Sequence, residues 1–182
     1  MLELLMKRRS IRKYKPTAIE QEKIDKLVRA ALLSPSSRRI NPWEFIVVTD
    51  KEVITKLAVA KEHGSSFLNG APLAIVVVAD ETKTDVWVED TSIAGIIIQL
   101  AAEDMGLGSC WIQIRKRMHN AERTSEEYVR GLLDMPENIK VASIIAIGYP
   151  DEKPESHSEA ELMFEKVFIN KHGKCYRRDK DG

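Results

Sequence analysis

The stretch from Asp90 to Met105 constrains this chain more than any other. Ile93, Ala94, Ile96, Ile97, Ile98, Leu100, Ala101, Ala102 and Met105 point in every direction around a helix and leave no polar face wide enough to meet solvent. Such a helix has to be covered on all sides. Its uncharged part, Thr91 to Ala102, falls well short of the roughly 20 residues that span a bilayer, so it belongs inside a globular domain. A chain of 182 residues buries one core without needing a second domain. Full cover in so small a domain is easier to supply if a second subunit contributes, and Ala94 and Gly95 are small enough for another backbone to approach. The expectation is one domain over residues 1–182 that pairs with itself.

The elements around this helix follow from spacing and punctuation. Thr17 and Glu20 have capping-box spacing, and Ile24, Leu27, Val28, Ala31 and Leu32 then repeat at helical intervals up to Ser34-Pro35. Trp43 to Thr49 and Leu73 to Ala79 are aromatic and β-branched, each bounded by a proline and an aspartate, and read as interior strands. Asp50 is placed to cap a short helix carrying Val53, Ile54, Leu57 and Ala58. His63 to Pro72 is a loop. Gly106-Leu107-Gly108 ends the apolar helix with residues that tolerate positive φ, and Ser109 to Ile114 continues as a strand. Thr124 and Glu127 form a second capping box, and Val141 to Gly148 is a further apolar strand. Asp151 to Glu161 is a polar linker, followed by an apolar patch at Phe164, Val167, Phe168 and Ile169 that needs a surface to dock on.

Charge and cysteine content exclude several classes. Lysine plus arginine and aspartate plus glutamate each number 28, so no global field recruits nucleic acid or acidic lipid. Met1-Leu2-Glu3-Leu4-Leu5-Met6 meets Lys7-Arg8-Arg9 in the reverse order of a secretory signal, and the expected location is the cytoplasm. Cys110 and Cys175 have no paired spacing, and His63, His119, His157 and His172 are scattered, read as surface residues; no metal site is expected. No serine has a nucleophile-elbow context. The absence of a triad fits a protein whose cofactor does its own redox chemistry.

Three segments are candidates for binding such a cofactor. Arg8, Ser10 and Arg12 alternate, so an extended backbone turns two guanidinium forks and a hydroxyl to one side, a set suited to a phosphate monoester. Alone, the same pattern also reads as a solvated basic stretch. Ser34 to Trp43 crowds prolines, hydroxyls and an amide into a loop, where Asn41 offers a donor and an acceptor to a heteroaromatic edge, or simply makes a turn. Gly106 to Gln113 lacks the third glycine of a dinucleotide fingerprint and leaves a helix for a strand. It either lets backbone amides approach a flat ligand covered by Cys110, Trp111 and Ile112, or is a helix end and a core strand.

Taken in order, Arg8-Arg9-Ser10-Ile11-Arg12, Pro35-Ser36-Ser37 leading to Asn41-Pro42-Trp43, Gly106-Leu107-Gly108-Ser109-Cys110-Trp111 and Ile147-Gly148-Tyr149-Pro150 resemble the FMN-dependent nitroreductase family over nearly the whole chain. The resemblance implies an α+β, three-layer α-β-α fold with a central, mostly antiparallel sheet, and an intertwined homodimer with FMN at its interface. It implies an FMN-dependent NAD(P)H oxidoreductase that reduces small acceptors such as nitroaromatics or quinones by ping-pong hydride transfer through flavin N5, NADH or NADPH being the donor and no side chain acting as acid or base. By this likeness Arg8 and Arg12 bind the FMN phosphate, Ser10 meets the ribityl or pyrimidine side, Asn41 reads the pyrimidine edge, and Arg9 belongs to the cofactor-binding set. Pro35, Ser36, Ser37 and Arg39 come from the other subunit or line the same cleft. Cys110, Trp111, Ile112 and Gln113 lie along the isoalloxazine, the Gln113 amide donating to N5, and Gly148 ends a strand beside the ring. Residues 151–182 resemble an extension that packs on the partner subunit.

The sequence departs from the family pattern where Arg38-Arg39 stand for the usual Ser-Asn and Asn41 for the usual Gln. After Tyr149-Pro150, where many members supply an arginine, none follows before Arg177; Lys153 or Lys171 is the expected substitute. Other outcomes consistent with the same residues are a reductive dehalogenase-like or flavin-fragmenting enzyme, a non-catalytic flavin-binding module, and a nucleic-acid protein using residues 7–15 and 171–180. The short loops 63–72 and 81–89 and the zero net charge disfavour the first and last of these.

Overall fold

The computed structural model describes residues 1–176; Arg177 and the far part of the basic stretch 171–180 lie outside the described residues. Nine principal elements follow one another: α1 (Leu2–Lys7), α2 (Gln21–Leu32), β1 (Trp43–Val48), α3 (Lys51–Leu57), β2 (Leu73–Asp80), α4 (Trp87–Asp104), β3 (Gly108–Gln113), α5 (Ser125–Leu132) and β4 (Ile139–Gly148). The strands form one antiparallel sheet in the order β1-β2-β4-β3. Alternation divides the side chains of the sheet between two cores. Leu73, Ile75, Val77, Ile145 and Ile147 pack under α2 and α4 through Leu27, Ala31, Ile98 and Ala102. Ala74, Val76, Val78, Ile112, Ile144 and Ala146 pack under α3 and α5 through Ile54, Leu57 and Val129. The outcome is three layers, α-β-α, as expected. A register shift at Val77/Val78 pairs Val77 with Ser143 and Val78 with Val141, leaving Ala142 as an extra residue. This bulge is why Val141 and Ile144 face the same core despite their spacing.

The reading of Trp43 to Thr49 as an interior strand is corrected: β1 lies at one edge of the sheet. Its alternation was masked because Trp43 and Val48 are buried at its ends while Val47 is exposed. The capping box at Thr17 is also corrected. The N-cap of α2 is Glu20, without a side-chain cap, because the Glu20 carboxylate instead accepts the Tyr149 hydroxyl at 2.6 Å. A tertiary partner outbid the local one. The two other caps form as read: Asp50 accepts from Glu52 and Val53, and Thr124 and Glu127 complete a reciprocal box at α5. Thr124→Ala should therefore cost about 1 kcal/mol, measured as a shift in the denaturant midpoint.

The apolar helix, α4, packs on the sheet and α2, and the described residues leave part of its apolar surface open. Ala94, Ile98 and Ala102 are fully buried, whereas Ile93 is 39% exposed and Ile96, Ile97 and Leu100 are half-buried. These residues form a stripe that borders a recess shared with Met1 and Leu4. Gly95 does not receive a partner backbone, as its size alone suggested. A Cβ there would sit 2.3 Å from the indole of Trp111, so the glycine admits a side chain of the neighbouring strand. Gly95→Ala should overpack this contact and cost roughly 1–3 kcal/mol, read from thermal or denaturant unfolding. No helix among the described residues is long and apolar enough to cross a membrane.

Candidate functional site

The N-terminal segment builds the first half of the site. Backbone at Arg8 turns extended at the end of α1, and the chain then runs beside β3, where Ser10 pairs in parallel with Ser109 and the Ile11 N–H donates to the Ser109 carbonyl at 2.9 Å. Alternation sends Ile11 into the core, packed so closely that a Cβ on Gly108 would meet it at 2.7 Å. The opposite side faces a recess of about 480 Å³ lined by Arg8, Arg9, Ser10, Arg12, Glu152, Pro154 and His157. Here the alternation of Arg8, Ser10 and Arg12 is realised. His157 thus lines the recess and bonds Glu161 at 2.8 Å, instead of standing free on the surface.

Charge in the recess is left uncompensated. Among the described residues neither Arg8 nor Arg12 has a carboxylate within 4.0 Å, and the Arg12 guanidinium lies over the Phe67 ring at 5.8 Å. Glu152 stands in the recess but is occupied by backbone: it accepts the N–H of Arg12 at 2.5 Å and of Lys13 at 3.1 Å. The Arg12 amide above all holds its carboxyl below the usual range. Arg9 turns away to the carbonyl of Glu155. Burial pushes the Cys110 thiol up, opposed by Arg12, the Ser10 hydroxyl and Arg8. A buried thiol raised in this way is a poor nucleophile.

Along β3 the edge is open. The Ser109 carbonyl faces the N-terminal segment and the Ile114 N–H faces Ala142 of β4. Because backbone polar groups alternate in direction along a strand, the amides of Trp111 and Gln113 project off the free edge. Neither has a partner among the described residues. The Trp111 indole N–H donates to the Gln113 side-chain oxygen at 3.0 Å, and the Gln113 amide nitrogen donates to the Arg115 carbonyl at 3.0 Å. The side chain of Gln113 is thus held within the protein while its backbone N–H is offered outward. Ile112 and Cys110 are buried on the other face and contribute backbone and floor.

The second half of the candidate site is a strained loop. A single turn at Ser37–Arg39 follows Ser36, and Arg38, Arg39 and Asn41 all adopt positive φ of 51–57°, a conformation non-glycine residues hold only when the surroundings dictate it. The surroundings are identifiable. The Ser36 hydroxyl donates to the Asn41 side-chain oxygen at 2.7 Å and accepts the Asn41 backbone N–H at 2.9 Å. The Ser37 N–H donates to buried Asp90 at 2.9 Å. Asn41 consequently presents its NH₂ more freely than its oxygen, and Pro35 and Arg39 are exposed.

One chain does not bring the two halves together. Asp90, which holds Ser37, and Glu103, which pairs with Lys7 at 3.7 Å, lie at opposite ends of α4. At 1.5 Å per residue they are about 20 Å apart along the helix. The loop also adjoins β1 and the N-terminal segment adjoins β3, the two edges of the sheet. Pro35, Ser36, Ser37, Arg39 and Asn41 therefore do not share a cleft with Arg8, Ser10 and Arg12 of the same chain. Lys153 lines a neighbouring recess with Lys7, Arg9 and Glu103, and Lys171 stands on an exposed tail turn. Gly148 ends β4 as expected, but its lack of a side chain serves Pro72 and Tyr14, which a Cβ would meet at 2.6 and 2.8 Å.

Two positioning residues escaped the sequence reading, Asp90 and Glu152. Asp90 looked like the polar start of an apolar helix, and its bond to Ser37 spans 53 residues. Glu152 reaches Arg12 across 140 residues. Nothing local announces either.

Comparison with known proteins identifies the family and the fold. The sequence model described as Nitroreductase family matches residues 5–61 and 58–149. An FMN-dependent nitroreductase from Clostridium difficile R20291 is 49% identical, with a TM-score of 0.93 over 94% of this chain and 99% of its own. A protein of Archaeoglobus fulgidus described as an NADH dehydrogenase/NAD(P)H nitroreductase is 41% identical over 157 residues, 84% of this chain and 87% of the relative. The NADPH:FMN oxidoreductase from Vibrio harveyi, solved as a complex with NAD+, is 26% identical with a TM-score of 0.78 over 96% of this chain and 79% of its own.

Proposed function

The chain belongs to the nitroreductase family, and from that premise we propose that it is an FMN-dependent NAD(P)H oxidoreductase acting on small acceptors such as quinones and nitroaromatics, in the form of a homodimer. The observation that carries the reading is the pair of guanidiniums, Arg8 and Arg12, held without a carboxylate partner around Ser10 and Cys110 beside the open edge of β3. That donor set fits the phosphate of FMN: two forks and a hydroxyl supply charge-assisted bonds to a dianion, and Glu152, still ionised, is bonded to the backbone amides of Arg12 and Lys13 and not to either guanidinium. The open amides of Trp111 and Gln113 fit the long edge of a flat ring.

When bound, FMN would supply the redox chemistry, hydride transfer between a reduced nicotinamide and a small acceptor, with Arg8, Ser10 and Arg12 holding its phosphate. The chain positions and polarises. The Gln113 backbone N–H is the donor assigned to the ring edge at N5, kept aimed outward because its side chain is tied to Trp111 and Arg115. Preorganised amides of this kind stabilise negative charge without reorganising. Cys110 and Ile112 are buried on the same strand. No side chain is assigned as acid or base.

The dimer rests on three features. The Ile93, Ile97 and Leu100 stripe of α4 is only partly covered by the described residues. The loop of Pro35, Ser36, Ser37, Arg39 and Asn41 is too far from Arg8 and Arg12 to join them except across an interface. The tail beyond residue 151 exposes Leu162, Met163, Val167, Phe168 and Ile169 on a turn closed by Phe168 and Cys175, a surface suited to the partner subunit. Free Cys110 and Cys175 thiols are compatible with the cytoplasm. The test is to purify the protein without added cofactor, identify released flavin, and follow NADH and NADPH oxidation with a quinone or nitroaromatic. A yellow dimer that turns over is expected; a colourless monomer that ignores FMN would overturn the reading.

A further inference from the structure

The recess at Arg8 and Arg12 contains a further basic side chain that the guanidinium pair does not account for. His157 lines it together with Arg8, Ser10 and Arg12. Its backbone N–H donates to the Met6 carbonyl at 2.8 Å, which fixes residue 157 beside the end of α1, where the segment carrying Arg8 begins. Its ring is oriented by Glu161, whose Oε2 lies 2.8 Å from Nδ1. Glu161 is in turn held by the N–H and the hydroxyl of Ser158, each at 3.3 Å. A segment that reads as a polar linker thus delivers an oriented imidazole to the wall of the recess, whereas Lys153 lines the neighbouring one.

The bond to Glu161 decides which proton the ring can offer. The imidazole holds the Glu161 carboxyl below its usual range, and a carboxylate only accepts, so Nδ1 carries a proton. Nε2 has no partner among the described residues and carries a second proton only in the imidazolium. A neutral ring offers a phosphate oxygen a lone pair; a charged one donates a charge-assisted bond. The neighbouring charges bear on this choice. Arg8 and Arg12, without carboxylate partners, oppose a third cation in the free protein. Arg9 is turned to the Glu155 carbonyl, Lys7 pairs with Glu103 at 3.7 Å, and Glu152 is bonded to the amides of Arg12 and Lys13. A phosphate dianion placed between the guanidiniums reverses the balance and favours the proton on His157.

We propose that His157 is the third phosphate-binding side chain of the flavin site, donating from Nε2 as an imidazolium, so that the protein grips FMN more tightly as the pH falls. This role rests on the FMN reading above for its ligand. The bound state keeps a proton that the free state gives up as the pH rises through the ordinary imidazole range of about 5 to 8. The His157 contribution to affinity is therefore full below that range and lost above it. The second ionisation of a phosphate monoester, near about pH 6, acts the opposite way through Arg8 and Arg12, so the contribution is read by comparing variants at one pH.

The test is equilibrium dialysis of the purified holoprotein against FMN, and against riboflavin, which lacks the phosphate, at about pH 6 and about pH 8.5. Wild type, His157→Ala and His157→Arg are compared. His157→Ala should weaken FMN binding about tenfold at the lower pH and far less at the higher. His157→Arg should match the wild type at the lower pH and exceed it at the higher. Riboflavin binding should be the same in all three. An equal loss in His157→Ala at both pH values, a parallel loss of riboflavin, or wild-type FMN affinity at the lower pH would overturn the proposal, and a wild-type preference for FMN over riboflavin would still uphold the phosphate role of Arg8 and Arg12. A wild type that holds riboflavin as tightly as FMN would overturn both. The His157 side chain is 38% exposed and belongs to neither core; should His157→Ala nevertheless unfold, the ratio of His157→Arg to wild-type affinity decides, and a ratio that does not change with pH would overturn the proposal.

Discussion

Arg8→Ala should raise the dissociation constant for FMN about ten- to a hundredfold, since one charge-assisted contact to a phosphate contributes on the order of 1.5–3 kcal/mol. The variant should emerge from purification largely colourless and regain activity at high added FMN. The outcome depends on what Arg8 does in the free protein. It has no carboxylate within 4.0 Å among the described residues and no packing duty in either core. Its removal therefore relieves like-charge crowding with Arg12 and should leave unfolding unchanged or slightly harder. Equilibrium dialysis and a denaturation curve on the same sample separate the two effects. Full flavin occupancy in the variant would remove Arg8 from the phosphate site, and a parallel loss of stability would mark it as structural.

The same residues show why parts of this molecule are legible in its sequence. Arg8, Ser10 and Arg12 read correctly because strand alternation is a local rule, and Ser10 and Ile11 are held in that extended form by Ser109. Asp50 and the Thr124–Glu127 box read correctly because a cap is satisfied within a few residues. The Thr17–Glu20 box has the same local pattern and fails, because Tyr149 takes the carboxylate from 129 residues away. The glycines divide similarly. Gly106 has a φ of 73°, as a helix terminator should, whereas Gly95, Gly108 and Gly148 exist for Trp111, Ile11 and Tyr14, contacts that no spacing rule contains. The edge position of β1 depends on strand order, which pairing distant segments decides. The separation of Asn41 from Arg12 follows from the same order, which no spacing along the chain contains.

Ile97→Asp should convert the dimer to monomer and abolish flavin retention, although no flavin-facing residue has been altered. Ile97 lies half-buried on the uncovered stripe of α4 between Ile93 and Leu100. A carboxylate costs little there in an isolated chain, where water reaches it, but several kcal/mol once a second subunit excludes that water. By symmetry each interface contains the change twice. Secondary structure and the unfolding transition of the monomer should survive, because the buried face of α4, Ala94, Ile98 and Ala102, is untouched. Light scattering, FMN content and far-ultraviolet circular dichroism on one preparation give the three readings. The decisive comparison is with Arg8→Ala, which should lose flavin and remain dimeric. If Ile97→Asp stays dimeric, the stripe is not the interface; if it becomes monomeric yet keeps FMN with wild-type affinity, the strained loop at Ser36 to Asn41 contributes nothing from across the interface. Loss of both together is the result expected of a pocket whose halves sit at opposite ends of one helix and meet only when two copies do.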